Sequence, residues 1–296
     1  MTTSIQGGPL GLEAVHNWDG VFDTNDLEAG FPRVRWRRIR GLLSLAEGDD
    51  DSISGGARIG IRPTPGLLRD KTNVYEGFLE ADTLHEIREL RTEMVGAFAD
   101  RYSEKVMTIT PHPDYGDTVF FYYGKCIALD IDDLPPSSLN RLPSKEAREV
   151  TLSIRQYDPR FYHSVLQDSG EQAAGFAVTN LGLAPAEPDI TLTIGDTAGG
   201  TTLSVTNTSI GKKLQLQTLF LVAAGKITFN FRRRRILYYI DGGDPNDPLD
   251  ITRMIDQEES TWWDHGVHGL TPGVNNLTWV GADIDTVRVT HHHATF

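Results

Sequence analysis

Residues 150–163 read VTLSIRQYDPRFYH, and the reading of that stretch decides how the chain is divided. Val150, Leu152 and Ile154 alternate with Thr151, Ser153 and Arg155, the period-two pattern of a strand with one face turned inward. The alternation then runs into Asp158, Pro159, Arg160, Phe161 and Tyr162, a dense cluster of charge and aromatic rings. Such a cluster either belongs to a catalytic site or closes one domain before the next begins. Proline lacks the N–H that a strand ladder needs, so Asp158-Pro159-Arg160 ends a strand on either reading.

Upstream of this stretch the pattern is strand-rich with one helix. Val34 and Trp36 alternate with Arg33, Arg35 and Arg37 as a half-buried strand. EGDDDSISGG (47–56) reads as an acidic loop, and ARIGIRPTPG (57–66) as a short strand closed by prolines. Thr83 and Glu86 have capping-box spacing. Leu84, Ile87, Leu90, Met94, Val95 and Phe98 follow at helical spacing, predicting a helix over about 82–100. VMTIT (106–110) and TVFFYYG read as strands, and Ile127, Leu129 and Ile131 alternate with Ala128, Asp130 and Asp132 as another. DLPPSS breaks the pattern. Downstream, residues 166–188 are rich in small residues without sustained period and are expected to form the domain junction. Beyond them short strands follow one another with turn signals between, which argues for an antiparallel sandwich. The expected fold class is mainly β, with domains over 1–165 and 166–296.

Composition narrows the function. The chain has 296 residues and a formal net charge of −13, and both halves are acidic, so a dedicated nucleic-acid-binding role is disfavoured. A single cysteine, Cys126, rules out an internal disulfide and reads as a buried structural thiol. The first twenty residues lack the basic start and apolar core of a secretory signal, and no apolar run is long enough to cross a bilayer. The expectation is a soluble protein made in a cytoplasm.

The chemistry-bearing residues each carry a plain alternative. His291, His292 and His293 cannot all face one metal from a strand, and a frayed, solvated end is the better reading. His265 and His268 beside Asp264 offer a loose metal site or simply a polar turn. His85-Glu86 fails as a zinc motif because Glu89 stands where the second histidine is needed. Arg232, Arg233, Arg234 and Arg235 suit a phosphate, or a hairpin whose charge discourages edge pairing. Arg33, Arg35 and Arg37 around Trp36 suit stacked bases or, better in an acidic chain, a protein partner. Trp262 and Trp263 could line a sugar site, though neighbours on a strand point opposite ways, so one of them is expected in the core. No nucleophile elbow, phosphate loop or dinucleotide fingerprint is present, and no cofactor, metal or catalytic set is expected.

In order and spacing, several pieces resemble the distal tail proteins of long-tailed, non-contractile phages. VTLSIRQYDPRFY closes the N-terminal half, preceded by ARIGIRPTPGLL, the helix capped by Thr83, MTITP and FFYYGKCIALDID. VTNLGLAPAEPDITLTIGD, LFLVAAGKITFNF and RRILYYIDGG follow, then Trp263 with Leu270-Thr271-Pro272-Gly273-Val274-Asn275-Asn276-Leu277. The four-arginine run departs from that pattern. The resemblance implies an N-terminal tail-tube-like β-barrel with a flanking helix, and a C-terminal galectin-like or carbohydrate-module-like sandwich. It further implies a homohexameric ring at the tail end. The partners would be the tail tube protein, the tail-associated hub protein and receptor-binding or other tail-tip proteins, with DNA only in transit and no membrane insertion. On this reading Asp158-Pro159-Arg160 closes the last strand of the N-terminal domain, and Phe161 and Tyr162 pack at the domain junction. The alternatives are a carbohydrate-binding module for host-surface polysaccharide, using Trp262 and Trp263, and a cell-wall hydrolase, which no sequence feature supports.

Overall fold

The computed structural model describes residues 14–26, 30–42, 70–115, 117–133, 146–195, 200–217, 219–220, 225–262, 269–281 and 284–295. The acidic loop 47–56, the strand expected at 57–66, most of the DLPPSS break, and Trp263, Asp264, His265 and His268 lie outside the described residues. The chain is mainly β. Its described residues fall into two compact units, one before Val165 and one over Val165–Thr295.

The first unit holds β1 (Val15–Trp18), β2 (Phe22–Thr24), β3 (Arg33–Arg40), β4 (Lys71–Ala81), α1 (Leu84–Ala97), β5 (Lys105–Thr110), β6 (Phe120–Ile131), β7 (Glu146–Gln156) and the start of β8 (Phe161–Asp168). Antiparallel pairing gives the order β2–β1–β5–β6–β7–β4–β3. The ends of this sheet meet. Asn25, just past β2, donates its backbone N–H to Val34 O at 2.6 Å, and the Trp36 indole N–H reaches Thr24 Oγ1 at 2.8 Å. Closure of this kind removes the unpaired edges that an open sheet must otherwise protect. Inside lie Trp18, Trp36, Tyr75, Leu79, Ile109, Tyr122, Leu152 and Ile154. Two polar contacts lie among them: Tyr75 and Tyr122 share a hydroxyl contact of 2.9 Å, and Asn73 Nδ2 donates to Gln156 Oε1 at 3.0 Å.

The helix follows from its cap. Thr83 Oγ1 accepts from Glu86 N at 3.2 Å, and the Glu86 carboxylate accepts from Thr83 N at 2.9 Å. Ile87, Leu90, Met94 and Phe98 face the core, and Trp18 stacks on Phe98 while donating its indole N–H to Ala97 O at 3.1 Å. Leu84 and Val95, expected on the same face, are 42% and 48% exposed. Both lie roughly 60–80° around the helix from Ile87, on the flank of the packed stripe.

Two strands carry bulges that simple alternation does not predict. In β3 the register shifts between Trp36 and Arg38, so Val34, Trp36 and Ile39 all point inward although the last two are three residues apart. Gly77 of β4 sits opposite. A Cβ there would lie 2.1 Å from Arg35 O and 2.9 Å from Trp36 Cα, so only glycine allows the strands to approach this closely. Gly77→Ala is therefore expected to destabilise the first unit by about 1–3 kcal/mol through overpacking, read as a lowered urea midpoint. An unchanged midpoint would show that the bulge relaxes freely.

The segments TVFFYYG and 127–131, expected as two strands, form the single strand β6, bulged between Cys126 and Ala128. That bulge buries Cys126 and turns Ile127 outward, 42% exposed, where alternation with Leu129 and Ile131 placed it inside. Burial raises the Cys126 thiol above its ordinary value, as for a structural cysteine.

The second unit holds the rest of β8 and β9 (Phe176–Asn180), β10 (Asp189–Ile194), β11 (Gly200–Thr201), β12 (Ser204–Asn207), β13 (Lys212–Gln215), β14 (Leu219–Phe220), β15 (Gly225–Asn230), β16 (Arg235–Ile240), β17 (Leu249–Asp250), β18 (Gly273–Val280) and β19 (Ile284–Thr295). Its main antiparallel sheets run β17–β16–β15–β10–β19 and β13–β12–β18–β9. Ile190, Leu192, Ile227, Phe229, Val287 and Val289 are buried on the first, and Val178, Val205, Leu214 and Leu277 on the second, the two apolar faces of a sandwich. The last strand, β19, pairs with β10 and so belongs to this unit.

Residues 166–188 are not the periodless segment expected. They include the end of β8, all of β9, and three bridges, Gln172 with Val287, Ala184 with Ala294 and Ala186 with Leu270. Their small side chains serve close packing, since a Cβ on Gly182 would meet Ala294 O at 1.8 Å. The Pro272-Gly273-Val274-Asn275 turn is held by Asn275, fully buried. Its Oδ1 accepts from Thr271 N at 3.0 Å and Asn207 Nδ2 at 2.9 Å, and its Nδ2 donates to Thr271 O at 2.8 Å.

Candidate contact surfaces

The Asp158 cluster is a closed turn. β7 ends at Gln156, and β8 starts at Phe161 and pairs with β6 through Phe121 and Tyr162, so β7 is not the last strand of the first unit. Phe161 is fully buried in the barrel core, edge-on to Tyr122, and Tyr162 stacks on Phe121; the expectation of a domain-junction position is corrected for Phe161. Asp158 and Arg160 side chains are 17% and 12% exposed. Asp158 Oδ1 accepts from Arg160 N at 3.1 Å and Arg160 Nε at 2.7 Å, while Oδ2 accepts from Arg160 Nη2 at 2.9 Å and from the Tyr162 hydroxyl. Burial acts to raise the Asp158 carboxyl, yet the Arg160 guanidinium and these hydrogen bonds hold it below its ordinary value. A carboxylate with all its acceptor positions engaged has none for a substrate. Nearby, Lys71 Nζ donates to Leu42 O at 2.9 Å over the Phe161 ring, and burial lowers it to about 8 against the pull of Asp158.

The arginines of β3 divide into engaged and open. Arg33 pairs with Glu80 at 3.1 Å and lies over the Phe31 ring, and Arg40 pairs with Glu76. Arg35 and Arg37 are exposed and have no ion-pair partner among the described residues. The C-terminal run sits on the tight turn between β15 and β16, which matches the hairpin alternative. Asn230 Oδ1 accepts from Arg233 N at 2.6 Å, and Arg234 adopts a φ of +48°. Arg233, Arg234 and Arg235 are exposed there, whereas Arg232 is half-buried.

Trp262 offers no face to a glycan. It is fully buried, packed edge-on against Phe231, and donates its indole N–H to Gly269 O at 3.0 Å. The histidine run is not a frayed end either. His291 and His293 are 4% and 6% exposed on the inner face of β19, their rings 5.2 Å apart, with Leu181 N donating to His293 Nδ1 at 3.1 Å. The strand holds them because β10 pairs with β19 as far as Thr290, and Ala294 bridges to Ala184. Among the described residues no three His, Cys, Asp or Glu side chains gather as a metal would need, and no helix is long and apolar enough to cross a membrane.

No protein-family model matches the chain, and no curated protein matches it. Solved structures do. The crystal structure of the Dit protein of phage SPP1, a paradigm of the hub adsorption apparatus in phages infecting Gram-positive bacteria, matches with a TM-score of 0.61 at 18% identity, over 96% of this chain and 99% of that one. The phage P2 baseplate in its activated conformation with calcium matches at a TM-score of 0.43 and 7% identity, over 95% of this chain and 97% of the other. Its strontium form gives 0.46 and 8%, over 94% and 97%. The chain has the fold of the SPP1 Dit protein over 96% of its length, so the resemblance read from the sequence holds at the level of fold.

Proposed function

We propose that this chain is a structural component at the distal end of a phage tail, forming a ring of six copies that joins the tail tube to the hub and receptor-binding apparatus. The observation that carries this reading is the match to the SPP1 hub protein over both units. On this reading domain 1–165 forms the ring. DNA crosses the ring during ejection without binding, in keeping with a net charge of −13 per copy, since a basic lining would hold phosphates by counterion release. The protein has no catalytic task on this reading, and it joins the virion during assembly in the host bacterial cytoplasm. The carbohydrate-module alternative loses one of its two tryptophans to the core.

The test is the mass of the purified full chain by light scattering across a concentration series, with negative-stain images of the same fractions. The expected result is a six-subunit ring with an open centre. A monomer at every concentration, binding isolated host cell-wall polysaccharide, would sink the reading.

A further inference from the structure

The outer face of the first unit is sorted by charge. Cross-strand register places Arg33 beside Glu80, and Arg38 beside Glu76. The ion pairs of Arg33 with Glu80 and of Arg40 with Glu76 consume the outward carboxylates of β4. What stays unpaired lies on either side of that neutral middle. On β3 are Arg35 and Arg37. Glu149 on β7, Asp130 on β6 and Asp132 just past its end are all exposed and without an ion-pair partner among the described residues. Register groups these three, since Asp130 faces Thr151 and Asp132 N donates to Glu149 O at 3.0 Å.

Each patch is set by a bulge. In β3 the bulge puts Arg37 on the outer side beside Arg38; in β6 it turns Ile127 outward and sets the register that pairs Asp130 with Thr151. Bulges re-aim side chains and persist where that aim is used. In the order β2–β1–β5–β6–β7–β4–β3, β3 and β6 stand three strands apart out of seven. Glu149 on β7 is nearer, two strands from β3 in one cross-strand row with Phe78 and Arg35, so on the closed sheet the two patches lie roughly a quarter to nearly half a turn apart and point in different directions. A head-to-tail contact between identical subunits needs two different, complementary patches pointing in different directions. One chain here carries both.

We infer that Arg35 and Arg37 of one copy meet Asp130, Asp132 and Glu149 of the next, so that the occupant of each patch is a second copy of this chain. The inference rests on the ring reading for closure of the contact, and charge complementarity names the surface. Interfaces of this kind gain rate and register from complementary potentials and weaken as salt screens them.

The experiment uses the full chain in three forms: wild type, Arg35→Glu/Arg37→Glu, and Asp130→Lys/Asp132→Lys/Glu149→Lys. All five positions are exposed, and unchanged thermal midpoints confirm folding. Each variant alone is expected to lose assembly by about tenfold or more, because like charges then face each other at every contact. The two variants mixed are expected to recover assembly, since one then carries two acidic patches and the other two basic ones. Wild-type rings with both variants assembling normally would overturn the inference and leave the ring reading standing. A wild-type monomer together with no association in the mixture would overturn both.

Discussion

Replacing Asp158 by alanine is expected to cost about 3–5 kcal/mol, because it leaves the largely buried Arg160 guanidinium without its counter-charge. Four donors converge on the Asp158 carboxylate, from the Arg160 backbone, two Arg160 side-chain nitrogens and the Tyr162 hydroxyl. All four lose their acceptor together. The loss is a large share of the roughly 5–15 kcal/mol that holds a domain together, so the first unit should unfold at far lower denaturant. The pH dependence has a definite sign. The folded carboxyl titrates below its ordinary value of 3.8, so its contribution is complete above about that pH and disappears as pH falls below it. Equilibrium unfolding in urea at pH 7 and pH 3 checks both parts. A cost under about 1 kcal/mol at pH 7 would place the turn among exposed ion pairs rather than buried ones.

The second large effect belongs to the sandwich, between pH 6.5 and 4. His291 is buried, and burial, with the charge of His293 and His292, lowers its imidazole from 6.5 to about 4. Above pH 6.5 the ring is neutral whether the chain is folded or not. Below it the unfolded chain takes up a proton that the folded one refuses until about pH 4, so stability falls as pH drops through that window. The full loss is about 3 kcal/mol. His163, also lowered by burial, acts in the same direction in the first unit. His291→Leu should flatten most of the slope of the C-terminal unit between these pH values. An imidazole resonance of His291 titrating near pH 6.5 in the folded protein would refute the assignment whatever the variant does.

How far the sequence foretold all this depends on residue spacing. The helix was legible because Thr83, Glu86 and the apolar stripe act locally, within a few turns of backbone. The strand alternation at 150–156 was legible for the same reason, as every second side chain enters the core. Bulges were not: whether Arg37 is an extra residue is decided by Gly77 on another strand, and whether Ile127 turns outward by the register with β7. Nor was the role of Asp158, whose meaning comes from Arg160 and Tyr162 folding back on it rather than from its place after a strand. The histidine run misled because polar residues near a chain end usually fray, while here the pairing of β19 with β10 and the contacts of Ala294 and His293 carry it inside. The candidate contact arginines were visible as a stripe. Which of them remain unpaired needed the positions of Glu76 and Glu80.

The β3 bulge separates what the interior of the barrel requires from what its outside carries. Excise Arg37 in thought, and the inward series Val34, Trp36 and Ile39 becomes a strict every-second-residue repeat. The core would accept the shorter strand. Arg37, the fifth of the eight β3 residues, is thus surplus to the interior, and it adds a positive charge to the outside while the inward series keeps its places. Seen this way, the outer face of β3 can hold one residue more than the interior requires, and Gly77 on the facing strand supplies the space that this extra residue needs.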